Sequence, residues 1–533
     1  MATVRQLGKE DILFVAGETD TVYHHTAGLV ILDTSHCPRF SFEYLRKKVI
    51  ERISAVPHFR WKLHEVPMGL DLPYWVEDEN FRYENHFRRI AVPAPGDRQA
   101  LSEVVAYLYS RHLDRSKPLW EFWLIEGLAG GKYAILQKLH HCMMDGQGAS
   151  KLGELLCDFE PRARPRPVDA AISGARAGEV PNWLRRSALA TLHLAGFPGA
   201  MTRGILDMVG PRLLEPLRRG ERRGRDRPET PVTCFNGAIG SDRGFVFGSL
   251  SLDDIKKVRK AFDVSVNDVL LALVSSALRH YLLTRDELPP LALRTGIPIS
   301  LRTDEDAEIS NRVTQVSVTL ATDVADPVAR LRAISEECAE AKALVHRGGK
   351  GFIELIQVMP PLMVTAMMSA ATPEQTCQML GSNLIVSNVH GSDKPMYVAG
   401  ARMETMYPMS IITPGMGLNF TCVSYCAQVD VGLTIEPQLV PDPWEIIDGL
   451  SSALRDYLRL AAGTKRRANS AGGRRAGAKA RTRTKAKPKA KTKATPKAKT
   501  KVKPKARPAP RKKTPATRTA ATGQRSGVGR KSS

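Results

Sequence analysis

Short apolar or alternating runs bounded by turn residues, such as Gly28-Leu-Val-Ile-Leu32 and Tyr133-Ala-Ile-Leu-Gln-Lys-Leu139, predict strands. Between them the apolar positions from Leu101 to Leu113 follow a helical period. Farther on, Phe245-Val-Phe247 and Gly296-Ile-Pro-Ile299 predict strands, whereas Asp253 to Phe262 and Val266 to Leu283 predict helices. Both halves of the chain therefore mix α and β, and no short repeat links them. Two stretches lack apolar periodicity and are rich in Pro, Gly and Arg: Pro161 to Pro181, and Arg218 to Pro231, the second reading as a connection between halves. The most apolar stretch, Leu355 to Ala371, is interrupted by Pro360-Pro361 and diluted by Gln357, Thr365 and Ser369. It predicts a buried or lipid-facing segment, not a membrane span.

Charge divides the chain differently. Of the 78 Lys and Arg in 533 residues, 26 fall in Lys465 to Ser533, which has no Asp or Glu. The rest of the chain holds the remaining 52 basic groups against all 55 acidic ones, a net of −3. The body is near neutral and, at 43% hydrophobic residues over the whole chain, suited to two or three domains of ~100–200 residues each. The last segment contains Lys, Ala, Pro, Thr and Arg but no aromatic, Leu or Ile residue, so it is expected to be disordered in isolation. Its lysines, among them Lys485, Lys487, Lys489, Lys491 and Lys493, suit a phosphate backbone or anionic lipid headgroups, with no means of stacking bases.

The N-terminus has Lys9-Glu10-Asp11 where a signal peptide needs an apolar run. The eight cysteines are scattered without a CxxC pair, which predicts reduced thiols and a cytoplasmic protein.

The strand ending at Leu139 is followed by His140-His141-Cys142-Met143-Met144-Asp145-Gly146. Two histidines at a strand end, before a sharp Asp-Gly turn, place imidazoles where they can face a channel. Three readings compete: satisfied core histidines, a metal site using His141 and Asp145 at i, i+4 but lacking further ligands, and general-base catalysis by a neutral imidazole. Cys142, a conceivable acyl carrier beside the base, would point to the opposite face if the strand continued.

This HHxxxDG pattern resembles that of the CoA-dependent acyltransferase superfamily. The rest of the chain resembles one branch, the bacterial wax ester synthase/diacylglycerol acyltransferases, over most of residues 5–460. Pro57-His-Phe-Arg60, Pro73-Tyr-Trp75 and His86, Pro118-Leu119-Trp120, Asn267-Asp268, Pro298-Ile-Ser300-Leu-Arg302 and Gly417-Leu-Asn419-Phe-Thr421 are similar to that family's motifs, in order along the chain. One departure stands out: Asn388-Val389-His390-Gly391-Ser392 replaces the family's Asn-Val-Pro-Gly-Pro, exchanging both ring-restricted residues for freer ones.

The resemblance implies an α/β (α+β type) fold of two chloramphenicol acetyltransferase-like domains with mixed sheets, at residues 1–215 and 232–460, with a linker at 216–231 and the disordered basic tail at 465–533. It implies transfer of a long-chain acyl group from acyl-CoA to diacylglycerol or a long-chain alcohol, with acyl-CoA as co-substrate and no metal or other cofactor. His141 becomes the general base, His140 a supporting residue, and Asp145 a structural holder of the turn with Arg302 as a speculative partner. Gly146 leaves the CoA approach open. Asn267 is a candidate oxyanion donor, with Asp268 beside it, although the two also suit the capping of a helix. Pro118, Leu119 and Trp120 are candidate substrate contacts, although an aromatic core anchor fits them as well. The methionines at 359, 363, 367, 368 and 379 suit either core packing or an acyl tunnel. The resemblance further implies a cytoplasmic enzyme peripheral to the inner membrane face or to lipid droplets. Two rivals remain: transfer to a different hydroxyl acceptor, and a lipid-associated binding protein tethered to DNA through the tail.

Overall fold

The computed structural model describes residues 5–143, 153, 155–162, 177–218, 229–300, 313–346, 356 and 358–481. Its strands in chain order are β1 (His25–Asp33), β2 (Trp61–His64), β3 (Tyr74–Glu77), β4 (Phe87–Ala91), β5 (Trp120–Glu126), β6 (Tyr133–His140), β7 (Gly244–Ser251), β8 (Arg294–Ser300), β9 (Val313–Thr319), β10 (Leu384–Val389), β11 (Tyr397–Val398), β12 (Ala401–Met409), β13 (Leu418–Tyr425) and β14 (Gln428–Ile435). Among the described residues they form a six-stranded sheet ordered β11-β12-β1-β6-β5-β4, a second ordered β7-β14-β13-β10-β8-β9, and a two-stranded ribbon of β2 and β3. Both large sheets are mixed, for β4 and β5 run parallel, as do β10 and its neighbours β8 and β13, while the other pairs are antiparallel.

β6 is the strand on which the fold turns. It lies between β1 and β5, with His25 opposite His140 and Leu139 opposite Trp120. Successive side chains on a strand point to opposite faces, and the core divides accordingly. Ile135 and Leu139 enter a cluster with Leu45, Val49 and Trp120, whereas Ala134 and Leu136 enter one with Leu29, Val105, Phe245, Phe247 and Tyr407. The second cluster joins the two halves, since Phe245 and Phe247 come from β7 of the other sheet. His140 continues the 134–136–138 row and therefore faces that junction.

β12 ties the halves together again. It leaves the second half to pair with β1 from Ala27↔Met409 to Asp33↔Arg402, with one register shift between Ile31 and Leu32. The second half has its own core around the helix Val266–Leu283, where Val269, Leu271, Leu273 and Leu278 are fully buried. Each such side chain contributes ~1.5–3 kcal/mol.

The helix Pro443–Arg481 runs through Lys465 to Arg481. Ala, Lys and Arg are strong helix formers, and no proline occurs in the tail before Pro488, so a helix already seated on Ile446, Leu450 and Tyr457 can propagate. The five tail lysines from Lys485 to Lys493 lie outside the described residues. A second helix, Trp183–Arg218, was not signalled by the hydrophobic pattern. All eight cysteines are unbridged, and among the described residues no single helix is long and apolar enough to cross a membrane.

Candidate active site

The end of β6 is fixed by main-chain bonds. The His140 N–H donates to Leu119 O at 3.0 Å, and the His141 N–H donates to His24 O at 2.8 Å. The chain then turns through a short 3-10 helix, His141–Met143. A second histidine pair, His24-His25 at the start of β1, thus lies against the first, a doublet outside every motif named above. The repeated His-His was the available signal.

His140 is 1% exposed and held from both sides. Its Nδ1 faces the Cys142 N–H at 3.2 Å, and its Nε2 lies 3.3 Å from Glu18 Oε1. Glu18 also escaped the sequence reading. Burial alone would raise its pKa, but His140 and the His24 N–H, which donates to Oε1 at 2.9 Å, together pull it down to about 2. A buried carboxylate therefore stands behind His140. The loop bearing it approaches closely at Gly17, where a Cβ would sit 2.6 Å from Leu13 O and 2.9 Å from the His24 ring. His24 itself bonds Phe14 O through Nδ1 at 2.9 Å, and burial lowers its pKa to about 4.

His141 stacks on Phe14, with ring centroids 3.9 Å apart and planes 15° from parallel. Burial lowers its pKa from the ordinary 6.5 to about 3, with His140 and His24 adding to the effect. As a residue it is half-buried by accessible surface. A histidine in this state is neutral at any ordinary pH, the form in which an imidazole can act as a base, at some cost in basicity. Phe14 belongs to the helix Ile12–Ala16, which packs against the helix Pro361–Ala370, and the Thr365 hydroxyl donates to Ala16 O at 2.7 Å. Ile12, Ile356, Val364, Met359, Met367 and Met368 form one apolar cluster there. Three of the five methionines thus pack on the helix that bears Phe14.

Cys142 lies past the strand end, so alternation of strand faces does not decide its role. Its thiol is 2.9 Å from His140 Nδ1, and burial pushes its pKa well up, keeping it protonated and poorly nucleophilic. Asp145, Gly146 and Arg302 lie outside the described residues. Among the described residues no group of three potential ligands could hold a metal.

Leu119 and Trp120 have no exposed surface. The Trp120 indole N–H donates to Phe59 O at 2.8 Å, His86 stacks on its ring at 4.3 Å, and Phe59, Phe87 and Phe122 meet it edge-on. The side chains of the Pro118-Leu119-Trp120 element are thereby committed to the core beneath the site, and its Leu119 carbonyl holds His140. Asp268 likewise serves the fold. Its carboxylate accepts the Ser265 N–H at 2.8 Å and the Ser335 hydroxyl at 2.9 Å, closing a capping box on Val266–Leu283. Asn267 is half-buried on the same first turn and makes no hydrogen bond to the histidine turn among the described residues.

The His390 departure has its own solution. Gly391 N–H donates to Ser424 Oγ at 3.2 Å, His390 Nδ1 lies 3.3 Å from the same hydroxyl, and Ser392 Oγ bonds both Lys394 O and Lys394 N. Side-chain hydroxyls hold the turn that ring constraint would otherwise fix. Glycine is required at 391, where a Cβ would meet Ser424 O at 2.2 Å.

A family model described as the wax ester synthase/diacylglycerol acyltransferase catalytic domain matches residues 7–270, and one described as the WS/DGAT C-terminal domain matches residues 309–457. A protein of Mycobacterium tuberculosis named as a candidate diacylglycerol O-acyltransferase is 32% identical over 461 residues, spanning 86% of this chain and 91% of its own. An O-acyltransferase of Acinetobacter baylyi is 30% identical, spanning 81% and 92%. Among solved structures, a wax ester synthase/diacylglycerol acyltransferase from Marinobacter aquaeolei superposes with a TM-score of 0.64 at 26% identity, over 86% of this chain and 100% of that one. The first condensation domain of the CDA synthetase, at 15% identity and a TM-score of 0.52, shares the fold over 86% of this chain and 96% of its own.

Proposed function

The chain belongs to the wax ester synthase/diacylglycerol acyltransferase family and is an acyltransferase, and from that premise we propose that it moves a long-chain acyl group from acyl-CoA to diacylglycerol or a long-chain alcohol, with His141 as general base. The observation that carries the assignment is the setting of His141: a neutral imidazole at a strand end, stacked on Phe14, whose helix packs into an apolar cluster rich in methionine.

His141 takes the hydroxyl proton of the acceptor, and the oxygen attacks the thioester carbonyl carbon. The tetrahedral oxyanion collapses with cleavage of the C–S bond, and the imidazolium returns its proton to the departing CoA thiolate. Ester and free CoA result. Glu18, negative and buried behind His140, helps the site tolerate the transient imidazolium and orients the His140 ring. Proton and acyl group are both accounted for without a metal or redox group, and acyl-CoA is the only co-substrate this scheme needs. Asn267 remains the proposed oxyanion donor, and the Asp145-Gly146 turn the proposed CoA approach. Because the acceptors are insoluble, the enzyme works at a cytoplasmic membrane face or lipid-droplet surface, and its lysine-rich tail adds attraction to anionic lipid or DNA.

The test is free-thiol release from palmitoyl-CoA by the full chain in detergent micelles, with hexadecanol or diacylglycerol supplied separately, beside His141→Ala. Acceptor-dependent release that the variant abolishes supports the assignment and ranks the acceptors. Absence of release with either lipid sinks it.

A further inference from the structure

The helix Trp183–Arg218 has no part in the chemistry above, yet its first 21 residues are unusually apolar for a helix so open to solvent. Trp183 is 68% exposed, Leu184 59%, Leu192 67% and Leu194 38%. Trp183 is the exposed one of the six tryptophans.

The helix is nonetheless seated. Arg186 Nη1 lies 3.1 Å from His64 Nε2, His193 Nδ1 lies 2.9 Å from Asp71 Oδ1, and Ala190 is buried. Positions 186, 190, 193 and 197 recur at helical i, i+3/i+4 spacing and mark the face turned inward. The row 184, 188, 192 lies on the other side and faces water as Leu, Ala and Leu. An outward apolar row on a seated helix is not explained by core packing.

Along the helix itself the charge has one sign. No Asp or Glu occurs from Val180 to Leu206, while Arg185 and Arg203 are exposed. The segment on which the helix sits continues the same character toward the active site. Met68 is 75% exposed, and beside it Gly69 packs so tightly on the next helix that a Cβ would be 3.3 Å from Leu362 N. That next helix, Pro361–Ala370, exposes Leu362 (50%) and Met363 (40%) on one side and packs on the helix of Phe14 on the other.

We propose that Trp183 to Arg203, continued by Met68, Leu362 and Met363, is the surface by which the enzyme docks on a phospholipid layer carrying anionic headgroups. Leucine and tryptophan side chains without acidic neighbours suit burial at the headgroup boundary, and flanking arginines suit the phosphates. Docking there sets the Pro361–Ala370 helix, and behind it Phe14 and His141, at the lipid side, where an insoluble acceptor enters. The inference rests on the acyl-transfer reading only for that last step.

The experiment uses the full chain with vesicles of 70% phosphatidylcholine and 30% phosphatidylglycerol, in 0.5 M NaCl so that attraction through the lysine-rich tail is screened. Wild type is expected to cosediment, with Trp183 fluorescence quenched by brominated acyl chains and the quenching lost in Trp183→Phe. Leu184→Ser/Leu192→Ser/Leu194→Ser is expected to lower vesicle partitioning on the order of tenfold, by exposing three fewer leucines to the lipid boundary, while keeping its Tm and its thiol release in micelles. Unchanged partitioning of the triple variant, or an unquenched Trp183, overturns the proposal. So does a variant that elutes as a smaller species than wild type, because the face would then join two copies of the chain. Loss of thiol release in micelles by wild type itself would count against the acyl-transfer reading and leave the docking result to be read from sedimentation and quenching.

Discussion

Two histidines end central strands of this protein, one in each sheet, and they share little else. His141 follows β6 and is stacked on Phe14 with Glu18, His24 and His140 close by. His390 follows β10, is exposed, and shares a serine hydroxyl with the backbone of a hydrogen-bonded turn. The element is the same and the chemistry is not. Placement at a strand end gives an imidazole a direction; the buried, ring-lined surroundings of the first one give it a fixed neutral state, beside a His140 that faces a buried carboxylate. The comparison teaches that the protonation state of a strand-end imidazole is set by its neighbours.

The largest effect expected from that contrast is on rate. His141→Ala should lower kcat on the order of 10²- to 10⁴-fold, the usual worth of a general base, whereas His390→Ala should leave thiol release near wild type. Equal losses from both variants would break the comparison.

Next is acidity. His24 and His141 have folded pKa values of about 4 and about 3, below the ordinary 6.5, so the unfolded chain binds protons that the folded one refuses. Stability is full above about pH 6.5 and should fall as the pH drops toward 4. Glu18, at about 2 when folded against 4.5 ordinarily, adds stability that is present above pH 4.5 and is lost as the pH falls toward 2, a contribution of ~3 kcal/mol. Urea melts between pH 7.5 and 4 should show the first decline in wild type, with a smaller slope in His141→Asn. A flat profile over that window would mean that the site is wetter than its packing indicates.

Glu18→Gln sharpens the contrast from the side of the supporting carboxylate. It keeps the shape and removes the charge, so kcat should fall on the order of tenfold with KM little changed, the pattern of an interaction used mainly in the transition state. A pure rise in KM would instead make Glu18 a binding residue. The smallest effect belongs to the second strand end: Ser424→Ala removes the hydroxyl shared by Gly391 and His390 and should cost about 1 kcal/mol in a urea melt. Gly391→Ala should cost more, because its Cβ has no room beside Ser424 O.

Much of this was legible along the chain. The short apolar run Tyr133 to Leu139 marked β6, and the apolar spacing of Val266 to Leu283 marked the core helix, since local patterns decide local elements. The ordered motifs pointed to the family, and His140-His141 to the site. Glu18, Phe14 and His24 were not legible, because nothing in a single glutamate or phenylalanine says which strand end it will meet more than a hundred residues later. At Trp120 and Asp268 the sequence left substrate contact open beside an aromatic anchor and a helix cap, and the structure shows the anchor and the capping box.

The sequence by itself therefore determined the elements, the family and the residue type of the proposed base, all of which are written in spacing and order. Tertiary structure alone decided the state of that base. Protonation depends on desolvation and on charges within a few ångströms, and those distances exist only after β1, β6 and the helix Ile12–Ala16 have come together around His141.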